Sequence, residues 1–380
     1  MPKTGSSALQ STLVLNRDEL ARQGVNYPEH SSDAEAALGN VSSGNGGPLR
    51  PLVETRLREQ AGAARVTRAR DRLVEMLSTT PADTVLYSQE RFFQYDPDLL
   101  GELDSLVGDL GVELGVIVYV RDVAPYVESI YGQLLKRRRR YVGSLTDFVS
   151  DYIQRSDPHT FPLTRERIES AAQVLGPGRL HVMHYETERD RLAESLLVDT
   201  LGVECDTLDL GVRHVNRALT HREVLWMRVL SEKLTVVGSA RLASNQIMAQ
   251  PPQDDARLGV DAEDLRRLEN AFGADIDWIN DAFFPDRRLA IGTCRAAAGP
   301  TPVTLTEAET RLLEVMAGLA DHAAREERAV PPPIEKELQR LRRTARRQRR
   351  QLERLEAQLA EATDPRAGWR ARLGAARRRT

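Results

Sequence analysis

The chain has 380 residues, 41% apolar and 29% charged, enough to bury a large core with charge left over for a solvated helix. The formal net charge of −3 conceals an asymmetry: from Ile334 to Thr380, 15 Lys and Arg face 6 Asp and Glu, giving +9 there and −12 elsewhere. Two distant cysteines, Cys205 and Cys294, exclude a disulfide scaffold and a cysteine-rich metal site, and no apolar run is long enough to span a bilayer. A cytoplasmic location is expected, with peripheral membrane contact left open.

Residues Pro2 to Gln10, Pro-Lys-Thr-Gly-Ser-Ser-Ala-Leu-Gln, hold what an anion-binding loop needs at the start of a helix. Gly5 lets the backbone approach closely, Lys3 brings a point charge, and Thr4, Ser6 and Ser7 bring hydroxyls. No GxxxxGK[ST] occurs here, which argues against an ordinary nucleotide triphosphatase. Leu9 and Leu13 share a helical face over Ser6 to about Asn16, and a second short helix covers Asp18 to Gln23, ended by Gly24. Leu38 to Pro51, rich in Gly, Ser, Asn and Pro, is expected to be a loop that packs no core.

Three stretches are predicted strands: Thr84 to Tyr87, Leu114 to Val120 and Arg179 to His184. The middle one, Leu-Gly-Val-Ile-Val-Tyr-Val, is apolar enough to be covered on both faces. Alternation with helices at Ala64 to Leu77 and Arg165 to Leu175 predicts a three-layer α/β fold with a mostly parallel sheet. After Gly211 helices take over, at Thr220 to Leu234 with a Thr220/Glu223 capping box, at Asp261 to Phe272 and at about Thr306 to Arg325. Ala296 to Pro302 is a linker, and Pro331 to Pro333 a second break.

From Ile334 the apolar positions Leu338, Leu341, Ala345, Leu352, Leu355, Leu359 and Ala362 alternate spacings of four and three, with Gln348 filling the one polar seam position. This predicts a coiled coil over 334–363 that supports a homo-oligomer, followed by a basic tail at 364–380. Dense arginine along it disfavours a lone helix and suits an anionic membrane or another polyanion.

With a second motif, the loop resembles that of bacterial PAPS-dependent sulfotransferases, where PAPS is 3′-phosphoadenosine-5′-phosphosulfate. The loop is followed by Asn16-Arg17 and Gly24-Val25-Asn26-Tyr27-Pro28, and the central strand ends in Tyr119-Val120-Arg121-Asp122 with Ser129 eight residues after the arginine. Leu180 to Glu186 and Val215 to Leu219 are looser likenesses. The resemblance covers about residues 1–290 and implies a P-loop-type sulfotransferase domain at 1–295, a linker and helix at 296–333, then the coiled-coil extension. It also implies a buried strand directly before the loop. Met1-Pro2-Lys3 leaves no room for one, so the natural protein is expected to start upstream.

The resemblance further implies roles. Lys3 would neutralise the leaving oxygen, while Thr4, Gly5, Ser6 and Ser7 would hold the 5′-phosphosulfate and Arg121 and Ser129 the 3′-phosphate. No metal is required. Glu90, in Ser88-Gln89-Glu90-Arg91, stands where glycan sulfotransferases carry a base, and is otherwise an exposed glutamate beside Arg91. His30 is the alternative base. The acceptor is a hydroxylated glycan, glycolipid or small metabolite, and an anionic glycan would suit the run Lys136 to Arg140, unless that run is a solvated helix face. Two other readings stay open: a non-catalytic nucleotide- or polyanion-binding protein, and a small-metabolite kinase.

Overall fold

Gly5, at φ 72°, caps helix α1 (Ser6–Leu15), and Asn16 separates it from α2 (Arg17–Arg22). The structure, a computed structural model, describes residues 5–39, 44–137, 143–154, 165–176, 178–211, 217–252, 258–292 and 305–329. Strand β1 (Val25–Asn26), α3 (Asp33–Ala37), a 3-10 turn (Gly47–Leu52), α4 (Thr55–Ala61) and α5 (Ala63–Thr79) lead to β2 (Thr84–Val85). A second 3-10 turn (Glu90–Gln94) and α6 (Pro97–Gly108) precede β3 (Val116–Val120), α7 (Val123–Arg137), α8 (Leu145–Gln154), α9 (Arg165–Leu175) and β4 (Leu180–His184). Short helices α10 (Tyr185–Glu188) and α11 (Leu192–Glu194) are followed by α12 (His221–Lys233), α13 (Ser239–Ala249), α14 (Ala262–Phe283) and α15 (Glu307–Ala329).

Helices dominate. The expected parallel pairing is present, but in two separate two-stranded sheets and not one: β1 with β2, Val25 opposite Thr84, and β3 with β4, from Val116 opposite Leu180 to Val120 opposite His184. The alternation of side chains along a strand sends Val118 and Val120 into a core with α7, α8, α12, α13 and α14, and Ile117 and Tyr119 into another with Leu9 and Leu13 of α1. The β3–β4 pair is therefore covered on both faces.

Strand β2 is shorter than predicted. Pro28 has no N–H to extend the ladder, and the Leu86 carbonyl instead accepts a 3.0 Å hydrogen bond from Asn45 Nδ2. The expectation that 38–51 packs no core is overturned: Leu49 and Leu52 are buried, with Val53, against Ala69 and Leu73 of α5. Pro48 and Pro51 fix the backbone of that turn and turn its leucines inward. α14 runs past its predicted end through Gly273, because Ile276 and Ile279 beyond it are buried in the main core.

The capping box of α12 forms as predicted, Thr220 accepting from the Glu223 N–H and Glu223 accepting from that of Thr220. The chain divides into two units, Met1–Ala320 and Asp321–Thr380, the second described only over the end of α15. The linker from Ala296, the three prolines, the coiled coil 334–363 and the tail 364–380 lie outside the described residues. Among the described residues, no helix is long and apolar enough to cross a membrane.

Candidate functional site

Open α/β sheets gather ligands beyond the carboxyl ends of their strands, and here two strands carry a predicted site residue past that end while a third carries a pair not predicted for the site. Glu90 follows β2, Arg121 follows β3, and Tyr185-Glu186 follows β4. α1 begins among them. Its first N–H groups have no partners within the helix, and Gly5 offers no side-chain cap. Lys3 and Thr4 lie outside the described residues.

Ser6 joins the helix start to Glu90: its hydroxyl donates a 2.6 Å hydrogen bond to Glu90 Oε1. One turn on, the buried Gln10 donates from Nε2 to Ser88 Oγ at 3.0 Å. Asn45, 4% exposed, fixes the same segment. It accepts from the Ser88 N–H at 2.7 Å and donates to the carbonyls of Leu86 and Pro28. Glu90 is thus held by Ser6 of α1, while Gln10 and Asn45 fix Ser88 two residues before it, beyond where the β1–β2 ladder ends.

Gly5 joins the helix start to the other strand pair. A Cβ on Gly5 would come within 2.6 Å of Leu192 Cδ2 and 3.2 Å of Tyr185 Cε2, so the absence of a side chain lets the loop lie on the Tyr185 ring. The Arg121 guanidinium stands 5.0 Å from the centroid of that ring, and Arg121 Nε donates to Glu186 Oε1 at 2.8 Å. Tyr126, on α7, is 1% exposed and belongs to the main core. Burial pushes its phenol pKa up; the Glu90 carboxylate pushes it further and the Arg121 charge opposes both. Tyr126 thus lies within electrostatic reach of both predicted groups. It was missed in sequence, although it lies between Arg121 and Ser129 on the helix that carries the latter.

Ser129 is half-buried on α7, one turn beyond Tyr126. Ser7 is half-buried in the first turn of α1. His30, in contrast, joins a different network. Its Nε2 lies 3.0 Å from Asp33 Oδ1, its Nδ1 accepts from the Ser32 N–H at 3.2 Å, and Asp33 also pairs with Arg17 at 2.9 Å. Burial lowers the His30 pKa, against the pull of Asp33. A neutral imidazole is a chemically competent base, but these contacts direct it toward α2 and α3 and not toward Ser6.

Behind Arg121 lies a cluster that sequence reasoning did not assemble. His184 Nε2 is 3.1 Å from Asp122 Oδ1 and 3.5 Å from Glu186 Oε2, and the Asp122 N–H donates to Glu186 Oε2 at 3.1 Å. Burial of the ring alone would lower the His184 pKa, but hydrogen bonds to Asp122 and Glu186 outweigh it and raise it to about 9. The three ligand-type atoms lie within 4.8 Å of one another, but their lone pairs are spent on each other and on backbone N–H groups, Ala290 donating to Asp122 at 2.9 Å. The cluster serves as an ion-paired brace that orients Glu186, and through it Arg121.

The basic run is only partly described. Lys136 is turned away from the site, donating to the Arg217 carbonyl at 3.0 Å. Arg138, Arg139 and Arg140 lie outside the described residues. The chain matches no protein-family model, no curated protein and no solved structure.

Proposed function

We propose that the chain is a PAPS-dependent sulfotransferase of P-loop-type, three-layer architecture, moving a sulfuryl group to the hydroxyl of a glycan, glycolipid or small metabolite. The observation that carries the reading is the Ser6–Glu90 hydrogen bond, which sets a carboxylate against an uncapped helix start with Arg121 close by. The residues suit a doubly anionic nucleotide. The free N–H groups of the first α1 turn and the Ser6 and Ser7 hydroxyls would hold the 5′-phosphosulfate, and Arg121 with Ser129 the 3′-phosphate.

Sulfuryl transfer, like phosphoryl transfer, asks the protein chiefly to align groups and neutralise charge. Glu90 takes the acceptor proton as the acceptor oxygen forms its bond to sulfur. The bond from sulfur to the bridging phosphate oxygen breaks, and Lys3 steadies the charge that the leaving 5′-phosphate gains. The products are a sulfate ester and 3′,5′-bisphosphoadenosine, with the proton passing from Glu90 to water. Ser6 would release Glu90 as the acceptor arrives.

The test offers the protein 35S-labelled PAPS with a panel of hydroxylated acceptors, in parallel with ATP and Mg²⁺. Transfer from PAPS that is lost in Lys3→Ala and Arg121→Ala is the expected result. ATP turnover without PAPS turnover would favour a metabolite kinase, and binding without turnover a non-catalytic module.

A further inference from the structure

Most arginines in the described residues are spoken for: Arg17, Arg50, Arg121, Arg179, Arg217 and Arg222 each hold a carboxylate. Helix α5 is different. Val66, Ala69, Leu73 and Leu77 turn inward against Tyr87, Phe92 and Leu49, while Arg65, Arg68 and Arg72, spaced i, i+3 and i+7 on one face, are exposed. None of the three has an ion-pair partner among the described residues, although Asp71 and Glu75 are near in sequence.

The position of this face matters. Asn26 Nδ2, level with Val85 in the β1–β2 ladder, reaches Thr80 Oγ1 at 3.1 Å and Met76 Sδ at 3.4 Å. Further back along α5, the charge of Arg72 acts on the Tyr87 hydroxyl. The inward face of α5 packs Val66, Leu73 and Leu77 in one cluster with Tyr87 and Phe92, the residues that flank Glu90 in sequence. At ~1.5 Å per residue the three guanidinium stems are strung over about 10 Å.

We infer that the Arg65/Arg68/Arg72 face of α5 docks an anionic polysaccharide and leads one of its sugar hydroxyls to Glu90. The inference rests on the proposed role of Glu90 for its second half only. A line of unpaired cations suits carboxylates or sulfates repeating along a chain, and such a chain carries its hydroxyls with it. Residues 63–79 contain no aromatic side chain on which nucleic acid bases could stack. The apolar residues of α5 point into the core and leave nothing on this face to enter a bilayer.

The test is arginine footprinting of the full chain with phenylglyoxal, read residue by residue by mass spectrometry, which separates α5 from the basic C-terminal region. A heparin oligosaccharide, used as the sulfated and uronate-bearing probe, is expected to slow modification of Arg65, Arg68 and Arg72 several-fold. Neutral dextran should not, and Arg70 on the other flank of the helix should stay reactive throughout. The Arg65→Gln, Arg68→Gln, Arg72→Gln triple variant should keep its melting temperature, bind heparin at least tenfold more weakly, and lower the salt slope by about 2 to 3. Unprotected α5 arginines, or equal protection by single-stranded RNA or by phosphatidylserine vesicles, would overturn the inference. Protection in a protein that transfers no sulfate would uphold the docking face while sinking the sulfotransferase reading.

Discussion

The Ser6 hydroxyl donates to the Glu90 carboxylate across 2.6 Å, binding the first turn of α1 to the segment that leaves β2. Eighty-four residues separate the two in sequence.

Glu90→Gln keeps a hydrogen-bond acceptor for Ser6 but cannot take a proton. It is expected to leave the melting temperature close to wild type and to lower kcat for sulfuryl transfer by about 100-fold or more. Ser6→Ala removes the same hydrogen bond and leaves the base. A variant in which Glu90→Gln transfers sulfate at the wild-type rate would rule out the carboxylate as base.

Glycine is required at two points around the site. Gly44 has φ 75°, and a Cβ there would overlap the Ser88 carbonyl oxygen, which as backbone has little room to move. Gly44→Ala should destabilise the fold by about 1–3 kcal/mol in urea unfolding and weaken transfer further by displacing 88–90. Gly5→Ala would press instead on the ends of Leu192 and Tyr185, so its larger effect is expected on PAPS affinity, through the ring that carries Arg121.

Protonated His184 is stabilised in the folded state, with its pKa raised from 6.5 to about 9 despite the opposing cost of burial. A group whose pKa rises on folding adds stability that is fully present below its unfolded value and lost as pH climbs through the folded one. Unfolding free energy should therefore fall between pH 6.5 and 9, and His184→Gln should flatten that slope in urea titrations across the interval. An unchanged slope would remove His184 from the brace behind Arg121.

The opposite sign applies at the α12 cap. Burial would raise the Glu223 pKa, but its paired hydrogen bonds from Arg217, both 2.7 Å, and one from the Thr220 N–H lower it. Its contribution is present above the unfolded carboxylate pKa and is lost as the solution is acidified through the folded one. Thr220→Ala removes only the cap and should cost about 1 kcal/mol. Arg217→Ala leaves a buried carboxylate unpaired and should cost more, by an excess that shrinks in acid.

Local signals carried far in this chain. The α1 start at Ser6, the bounds of α9 and the Thr220/Glu223 box were legible because each rests on neighbouring residues alone. What depended on distant partners was not. β2 stops early because Asn45 takes the Leu86 carbonyl, and Asn45 lies in a stretch whose composition predicted only a loop. α14 continues through Gly273 because the residues beyond it find a core. At the candidate site, Glu90, Arg121 and the loop were each proposed from the sequence, but the Asp122–His184–Glu186 brace comes from contacts across β3 and β4 that no spacing rule reports. Lys3 and Thr4 were read from sequence alone.

Both strand pairs are parallel, and each joins residues about sixty positions apart, as Val25 to Thr84 and Val116 to Leu180. Such pairing must wait for long loops to close, whereas helices such as α5 and α14 form from local contacts. In refolding, far-ultraviolet ellipticity should accordingly return before the Ser6–Glu90 region is sealed. The order matters to a cell: a newly made chain would be helical, and open to capture by chaperones or proteases, for an interval before the proposed site could form.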